Sequence, residues 1–181
     1  MSDQYIIRHC APTLAGIKTG NLFSVQKEPG EDYIEAIRRL NKILVPKGIR
    51  ALILKQTEKL VLIYLYRPAM LQADLCKEEA RQILLEKGYP AEKTECCIVR
   101  LVKQLASGEE FPHEIGLFLG YPPADVKGFM KSPVEGVKCI GCWKVYGNEA
   151  EAKRKFDNFQ KCTSFYCRKV KEGHTLAQLV I

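Results

Sequence analysis

The sequence predicts an α+β fold in which a small, mainly antiparallel sheet of about three strands packs with several helices, the last of them long. Two adjacent β-type runs lie between segments whose apolar residues have helical spacing. The chain has 181 residues, 46% of them hydrophobic, which is enough to bury one core. No low-complexity segment or linker interrupts it, so we expect a single domain over residues 1–181.

The first predicted elements are a helix and a hairpin. Residues 31–45 carry apolar side chains at every third or fourth position, and Pro46 and Gly48 end the pattern, which predicts an amphipathic helix. Two β-type runs follow at residues 49–55 and 59–66, and a short polar connection joins them. Such a connection favours an antiparallel pair.

Helical sequence dominates the middle of the chain. Pro68 opens a segment that runs to Gly88 with a break near Cys76, because proline suits the first turn of a helix and glycine suits its end. Three more helices are predicted over residues 92–106, 113–119 and 124–130. The last two are joined by a tight corner formed by Gly120, Tyr121 and Pro122.

The last part of the chain is predicted to hold a third strand over residues 137–146 and a long helix over residues 149–171. One stripe of this helix is expected to point inward; it consists of Phe156, Phe159, Thr163, Tyr166 and Val170. We expect Trp143, on the strand, to pack against the helix.

The net charge of +7 comes entirely from residues 127–171, which contain eleven Lys and Arg and four Asp and Glu. A basic surface attracts anionic partners, such as an acidic protein, a nucleic acid or an anionic small molecule. The alternative is a solvated helix face without a partner. The residues expected to contact a partner are Lys153, Arg154, Lys161 and Arg168.

The start of the chain does not resemble a secretory signal, because it has Asp3 where positive charge is usual and no long apolar segment follows. The longest apolar run, residues 60–66, is too short to span a bilayer. Both observations favour a cytoplasmic location. Cytoplasmic thiols are normally reduced, so we expect the eight cysteines to be free thiols or metal ligands.

Four of the cysteines have a spacing that resembles a structural zinc site. They are Cys139, Cys142, Cys162 and Cys167. The expected geometry argues against a zinc site. Cys139 and Cys142 point to opposite faces of a regular strand, and Cys162 and Cys167 point in different directions around a helix. We therefore expect no metal, and a structural-metal protein is only the third interpretation of the function.

The segment from His9 to Ser24 is the most unusual in composition. If Pro12 is the first residue of a short helix, Cys10 lies at the N-terminal end of that helix beside His9, and its thiol pKa is lowered. Cys10 is then the candidate nucleophile, His9 a candidate acid or base, and Lys18 a candidate for holding an anion. The alternative is a segment that only covers the core.

Two other places contribute candidate site residues. His113 and Glu114 open a predicted helix, and the second histidine of the zinc-protease pattern is absent. His113 is a candidate acid or base and Glu114 a candidate ligand-binding residue. Tyr66 and Arg67 end the hairpin, where side chains can enter a cleft at the sheet edge, and they are also candidate ligand-binding residues. Packing is the alternative role for all four.

The strings HCAPTLAGIKTGNLFS, YLYRPAML, HEIGLFLGYPPADVKGF and CWKVYGNEAEAKRKF together resemble an uncharacterised bacterial family, a domain of unknown function. The resemblance extends from about residue 9 to residue 173 and implies no particular activity. It implies an anaerobic source and genes near flavodoxin genes, and hence an acidic electron carrier such as a flavodoxin as partner of the basic helix. Position 142 is not always cysteine in this family, which opposes a paired role for Cys139 and Cys142.

The leading hypothesis is a small-molecule or anion-binding protein with a thiol-dependent or redox-linked activity. Its site would combine residues 9–18, 66–67 and 113–114. The alternative is a non-catalytic adaptor or a nucleic-acid-binding protein that uses residues 127–171. The sequence identifies no cofactor, and it leaves open whether the protein is an enzyme.

Overall fold

The computed structural model describes residues 2–108 and 110–181. These residues form two compact units. The first unit runs to Met70 and also includes Phe159–Ile181, and the second unit is Leu71–Asn158. The single domain expected from the sequence stays a prediction.

The first unit is built on a three-stranded antiparallel sheet. Its elements up to the start of the second unit are α1 (Asp3–Leu14), β1 (Gly20–Gln26), α2 (Tyr33–Leu44), a short 3₁₀ helix (Val45–Lys47), β2 (Arg50–Gln56), β3 (Leu60–Tyr66) and α3 (Pro68–Leu75), which ends in the second unit. Strand β3 is central, so that Phe23 of β1 and Ile53 of β2 both lie opposite Ile63.

The second unit consists of short helices and a small hairpin. Its elements are α4 (Glu78–Glu86), α5 (Thr94–Ser107), α6 (Ile115–Phe118), α7 (Pro123–Lys131), β4 (Cys139–Ile140) and β5 (Lys144–Val145). The long helix α8 (Glu149–Lys171) begins in this unit, and its residues from Phe159 onward belong to the first. Helix α9 (Leu176–Leu179) follows it.

Burial of apolar side chains explains why the first unit forms these elements. Ser2 caps the start of helix α1, and its hydroxyl oxygen accepts a hydrogen bond from the Tyr5 amide at 3.3 Å. One face of this helix, one face of β3 and the last turn of α2 then share a core. Fully buried members of that core are Ile7, Leu14, Leu44, Ile63 and Leu65. Each such side chain stabilises the fold by roughly 1.5–3 kcal/mol.

The predicted fold class is confirmed, and so are the helix at residues 31–45, the hairpin and the long last helix. The first of these is α2, whose start is capped by Asp32; its carboxylate accepts hydrogen bonds from the Ile34 and Glu35 amides. The hairpin is β2–β3, and the last helix is α8.

The third strand of the sheet is not where the sequence analysis predicted it. Residues 137–146 form the separate β4–β5 hairpin, in which Cys139 lies opposite Val145. Gly141 lies where the chain turns from β4 to β5. A Cβ atom there would lie 2.2 Å from the Phe156 ring, so only glycine fits beside α8. The third strand is β1, which overlaps the His9 to Ser24 segment, where the sequence analysis predicted no strand.

Candidate functional site

A cavity of about 320 Å³ lies in the second unit, where α6, α7 and the β4–β5 hairpin meet. Its wall is mainly apolar and rich in aromatic rings, with a histidine and a lysine beside the rings. We call it the aromatic pocket, and its wall includes Phe111, His113, Tyr121, Phe129, Trp143 and Lys144.

One wall of the aromatic pocket is held in place by a buried carboxylate. The indole Nε1 of Trp143 donates a hydrogen bond to Asp125 Oδ2 at 2.7 Å, and Asp125 Oδ1 accepts from the amides of Tyr146 and Gly147 at 2.8 and 2.7 Å. Asp125 is 3% exposed. The Tyr121 ring stacks on Trp143 with a centroid separation of 4.7 Å. The wall is therefore fixed before any ligand enters.

A glycine lets α6 approach this wall. A Cβ atom at Gly116 would lie 2.9 Å from Val126 Cγ2 and 3.0 Å from Tyr121 Cδ2, which is closer than side chains normally pack. Tyr121 is half-buried, and burial raises its pKa to about 12, with a smaller contribution from Cys142. At neutral pH the Tyr121 hydroxyl therefore keeps its proton.

Polar side chains stand beside the Phe129 ring. His113 packs edge-on against it with a centroid distance of 5.1 Å, and Lys144 Nζ lies 5.7 Å from its centroid. Lys144 Nζ also donates a hydrogen bond to the Pro133 carbonyl oxygen at 2.8 Å. A group that enters the aromatic pocket thus meets an imidazole and an ammonium next to a ring face.

A second cavity, of about 250 Å³, adjoins the aromatic pocket and shares Phe111 and His113 with it. We call it the polar pocket. The remaining side chains of its wall are mostly polar, and they include Lys87, Gln104, Ser107, Glu110 and Glu114. His113 and Glu114, which the sequence analysis singled out, therefore line this cavity side by side.

Glu114 lies deep in the polar pocket and is 3% exposed. Its Oε1 accepts a hydrogen bond from the Tyr89 hydroxyl at 2.8 Å, and the same hydroxyl contacts Gln104 Oε1. Burial, followed by the hydrogen bond and charge of Glu114, raises the pKa of Tyr89. Tyr89 is thus a neutral donor that orients the Glu114 carboxylate.

The candidate site residues between His9 and Arg67 belong to the first unit. Lys18 Nζ donates to the Gly20 carbonyl oxygen. Arg67 donates from Nε to the Thr13 carbonyl oxygen at 2.7 Å and from Nη2 to the Leu14 carbonyl oxygen at 2.8 Å. The structure brings Lys18 and Arg67 to the same connection, between α1 and β1, where both hold main-chain carbonyl groups.

The positional argument for Cys10 as a nucleophile is wrong. Helix α1 begins at Asp3, so Cys10 is in its second half and Pro12 is in its last turn. The Cys10 side chain is 0% exposed, and burial raises the pKa of its thiol despite the opposing charge of Lys18. At neutral pH this thiol is protonated and out of reach of solvent.

Alkylation rates should distinguish the buried Cys10 from the exposed cysteines. Brief exposure of the folded protein to iodoacetamide at neutral pH is expected to label Cys76 and Cys96, which are exposed, and to leave Cys10 unmodified until denaturant is added. Peptide mass spectrometry measures the labelled fraction at each site. Labelling of Cys10 as fast as Cys76 in the folded protein would restore it as a nucleophile.

His9 and Tyr66 also lie in aromatic surroundings. His9 is exposed on α1, with its ring 4.5 Å from that of Tyr5 and 5.7 Å from that of Phe23. Partial burial and the charge of Arg8 lower the pKa of His9. Tyr66 is buried, and its ring stacks on that of Tyr64 at 4.7 Å.

The basic side chains of α8 are partly neutralised by their own helix. Lys153 Nζ lies 2.6 Å from Glu149, and Arg168 Nε lies 3.8 Å from Glu172. Arg154 and Lys161 are exposed. Exposed ion pairs of this kind contribute little to stability because water screens them, so they reduce local charge more than they stabilise the helix. An acidic or nucleic-acid partner for these residues stays a prediction.

None of the eight cysteines, all of which lie in the described part of the chain, forms a disulfide. Cys139 is half-buried and Cys142 is exposed, and both belong to the hairpin of the second unit. Within residues 2–108 and 110–181, no group of three or more His, Cys, Asp and Glu side chains could hold a metal ion. In that same part of the chain, no helix is both long enough and apolar enough to cross a membrane.

Sequence reasoning missed most of the aromatic pocket. Tyr121 was interpreted only as part of a corner, and Asp125 and Phe129 were not singled out. A signal for Asp125 does exist, because an acidic residue in the first turn of a short helix points toward free amide groups. Its real partners, Trp143 and the amides beyond β5, lie about twenty positions away in sequence.

Comparison with known proteins identifies the family of the chain but no activity. No curated protein and no solved structure matches the chain significantly. A family model described as a protein of unknown function (DUF3793) matches residues 6–180, which is nearly the whole sequence. The resemblance inferred from the four sequence strings is therefore correct, and the chain belongs to the DUF3793 family.

Proposed function

We propose that the protein binds a small molecule through a planar aromatic ring that occupies the aromatic pocket. The observation that carries the proposal is the fixed wall formed by Trp143, its buried partner Asp125 and the stacked Tyr121 ring. A rigid, mainly apolar wall with a few fixed polar groups is typical of a small-molecule site.

The size and lining of the aromatic pocket define the ligand. At about 320 Å³ it is at the lower end of ligand cavities, which are about 300–1,000 Å³, so the bound group is compact. Ring faces at Phe129 and Trp143 suit an aromatic group, because offset stacking adds about 0.5–1.5 kcal/mol beyond burial of area. His113 stands at the edge of Phe129, where it can donate to or accept from a substituent on the bound ring.

The protein carries its own reporter of this binding. Trp143 is the one tryptophan in the sequence and lines the pocket, so its fluorescence responds to an occupant. Phenylpropanol, a neutral aromatic alcohol, is expected to change the Trp143 emission saturably. Its dissociation constant should be in the millimolar range, since a ligand of this size gains about 0.3–0.5 kcal/mol per heavy atom.

A variant with a matched control tests whether the ring binds where we propose. Phe129→Ala removes a ring from the pocket wall and is expected to weaken phenylpropanol binding about tenfold. Phe165→Ala removes an exposed ring on α8, in the first unit, and should leave binding unchanged. If phenylpropanol causes no saturable change in the wild type, or if both variants bind it equally well, the proposed function is wrong.

A further inference from the structure

The polar pocket contains a buried carboxylate without a counter-ion. Within the part of the chain that the structure describes, Glu114 makes one hydrogen bond, from the neutral hydroxyl of Tyr89, and no ion pair. It is 3% exposed. Removing a carboxylate from water is costly unless it is paired, and one hydrogen bond from a neutral donor offsets only part of that cost.

The second oxygen of this carboxylate is open to the polar pocket. Every fully buried side-chain oxygen or nitrogen among the described residues has a hydrogen-bond partner. Glu114 Oε2 has none, so it is not fully buried, and the cavity that Glu114 lines is the polar pocket. A molecule in this pocket therefore contacts the anionic oxygen Oε2 of Glu114. The hydrogen bond from Tyr89 to Oε1 already fixes the orientation of the carboxylate.

The charge of the polar pocket favours a cation. Its wall contains two carboxylates, Glu114 and Glu110, and one ammonium, that of Lys87. Lys87 and Glu110 are exposed, so water screens both, whereas the buried Glu114 keeps most of its field. An ammonium group from a ligand would supply the counter-ion that Glu114 lacks.

The walls of the two cavities share Phe111 and His113, and Glu114 lies next to His113 in the chain. We propose that the ligand is an arylalkylamine, with its ring in the aromatic pocket and its protonated amine bound to Glu114. The proposal rests on the proposed function, because it assigns a partner to the other end of the same ligand. Aromatic rings beside a carboxylate are a favourable environment for an organic cation.

Three probes that have the same phenyl ring and the same chain length, but different charges, test whether the site prefers a cation. They are phenylpropylamine, which is a cation at neutral pH, phenylpropanol, which is neutral, and phenylpropionate, which is an anion. Titration against Trp143 fluorescence is expected to give about tenfold tighter binding of the amine than of the alcohol, and weaker binding of the anion. Amines with a chain one carbon shorter and one carbon longer are also titrated, because the distance from the bound ring to Glu114 decides which chain length brings the amine to the carboxylate.

Substitution of Glu114 tests whether this residue causes the preference for the amine. Glu114→Gln keeps an acceptor for Tyr89 but removes the charge, so the amine should bind this variant no more tightly than the alcohol does. Glu110→Gln removes an exposed charge from the same pocket and should retain most of the preference. Unchanged alcohol binding by Glu114→Gln would show that the variant is folded.

The outcomes separate this inference from the proposed function. If no probe changes the Trp143 signal, the proposed function fails and the inference fails with it. If the alcohol binds saturably but no amine binds more tightly than it does, the inference alone is wrong, and this comparison needs only the wild-type protein. A preference for the amine that survives Glu114→Gln would also overturn the role of Glu114.

Discussion

An Asp125→Asn protein is expected to lose about 3 kcal/mol of its free energy of unfolding. The asparagine has the shape of aspartate, but one acceptor oxygen becomes an NH₂ donor. Either Trp143 Nε1 or the amides of Tyr146 and Gly147 then meet a donor instead of an acceptor. A buried donor without a partner costs about 1–3 kcal/mol, and the lost charge weakens the bonds that remain.

Urea unfolding followed by Trp143 fluorescence and by circular dichroism measures this loss. Asp125→Ala should lose more, because none of the three donors keeps its acceptor. The control is Asp157→Asn, an exposed position on α8, which should stay within about 0.5 kcal/mol of the wild type. If Asp125→Asn unfolds at the wild-type urea midpoint, the carboxylate does not hold the pocket wall.

The parts of the fold that the sequence predicted are those encoded by neighbouring residues. Helix α2 has an apolar stripe and an Asp32 cap, and the β2–β3 hairpin has a short polar connection between two apolar runs. Helix α8 has an inward stripe along its length, with Phe159 and Tyr166 buried. Each of these signals is complete within a short stretch of chain, so no knowledge of distant contacts was needed.

The missed elements depend on partners that are distant in sequence. Strand β1 alternates only weakly, and it becomes a strand because β3 offers a free edge on which Phe23 can lie opposite Ile63. Helix α1 has an apolar face, but Pro12 suggested that the helix started there. Tertiary burial of Ile7 and Leu14 stabilises α1 even though Pro12, inside the helix, has no amide to donate to the Arg8 carbonyl group.

The candidate site was predictable in its residue types and only partly in its location. His113 and Glu114 were selected because they open a predicted helix and match the first half of a zinc-protease pattern, and both line the polar pocket. The aromatic pocket was not predictable, because Tyr121 and Trp143 stack only after β4–β5 folds against α7. A sequence shows which rings exist, whereas the pairing of rings follows from tertiary packing.

Arg67 provides the second large effect that we expect. Replacing it with methionine, which keeps most of the aliphatic length, should lower the free energy of unfolding by about 2–3 kcal/mol. The carbonyl groups of Thr13 and Leu14 end α1 and have the Arg67 guanidinium as a donor. These two residues are 0% exposed, so water does not easily replace that donor, and hydrogen bonds to a charged group contribute about 1.5–3 kcal/mol.

Urea midpoints of three variants distinguish a structural from a ligand-binding role for Arg67. Arg67→Lys keeps the charge but cannot reach two carbonyls with a rigid fork, so it should recover only part of the loss. Arg38→Met removes an exposed arginine whose nearest carboxylate, Glu35, is 3.6 Å away, and should change stability by less than about 0.5 kcal/mol. If Arg67 instead held an anion, phosphate would stabilise the wild type but not Arg67→Met. We expect phosphate to shift both by the same amount, because the guanidinium is already bound to main-chain oxygens.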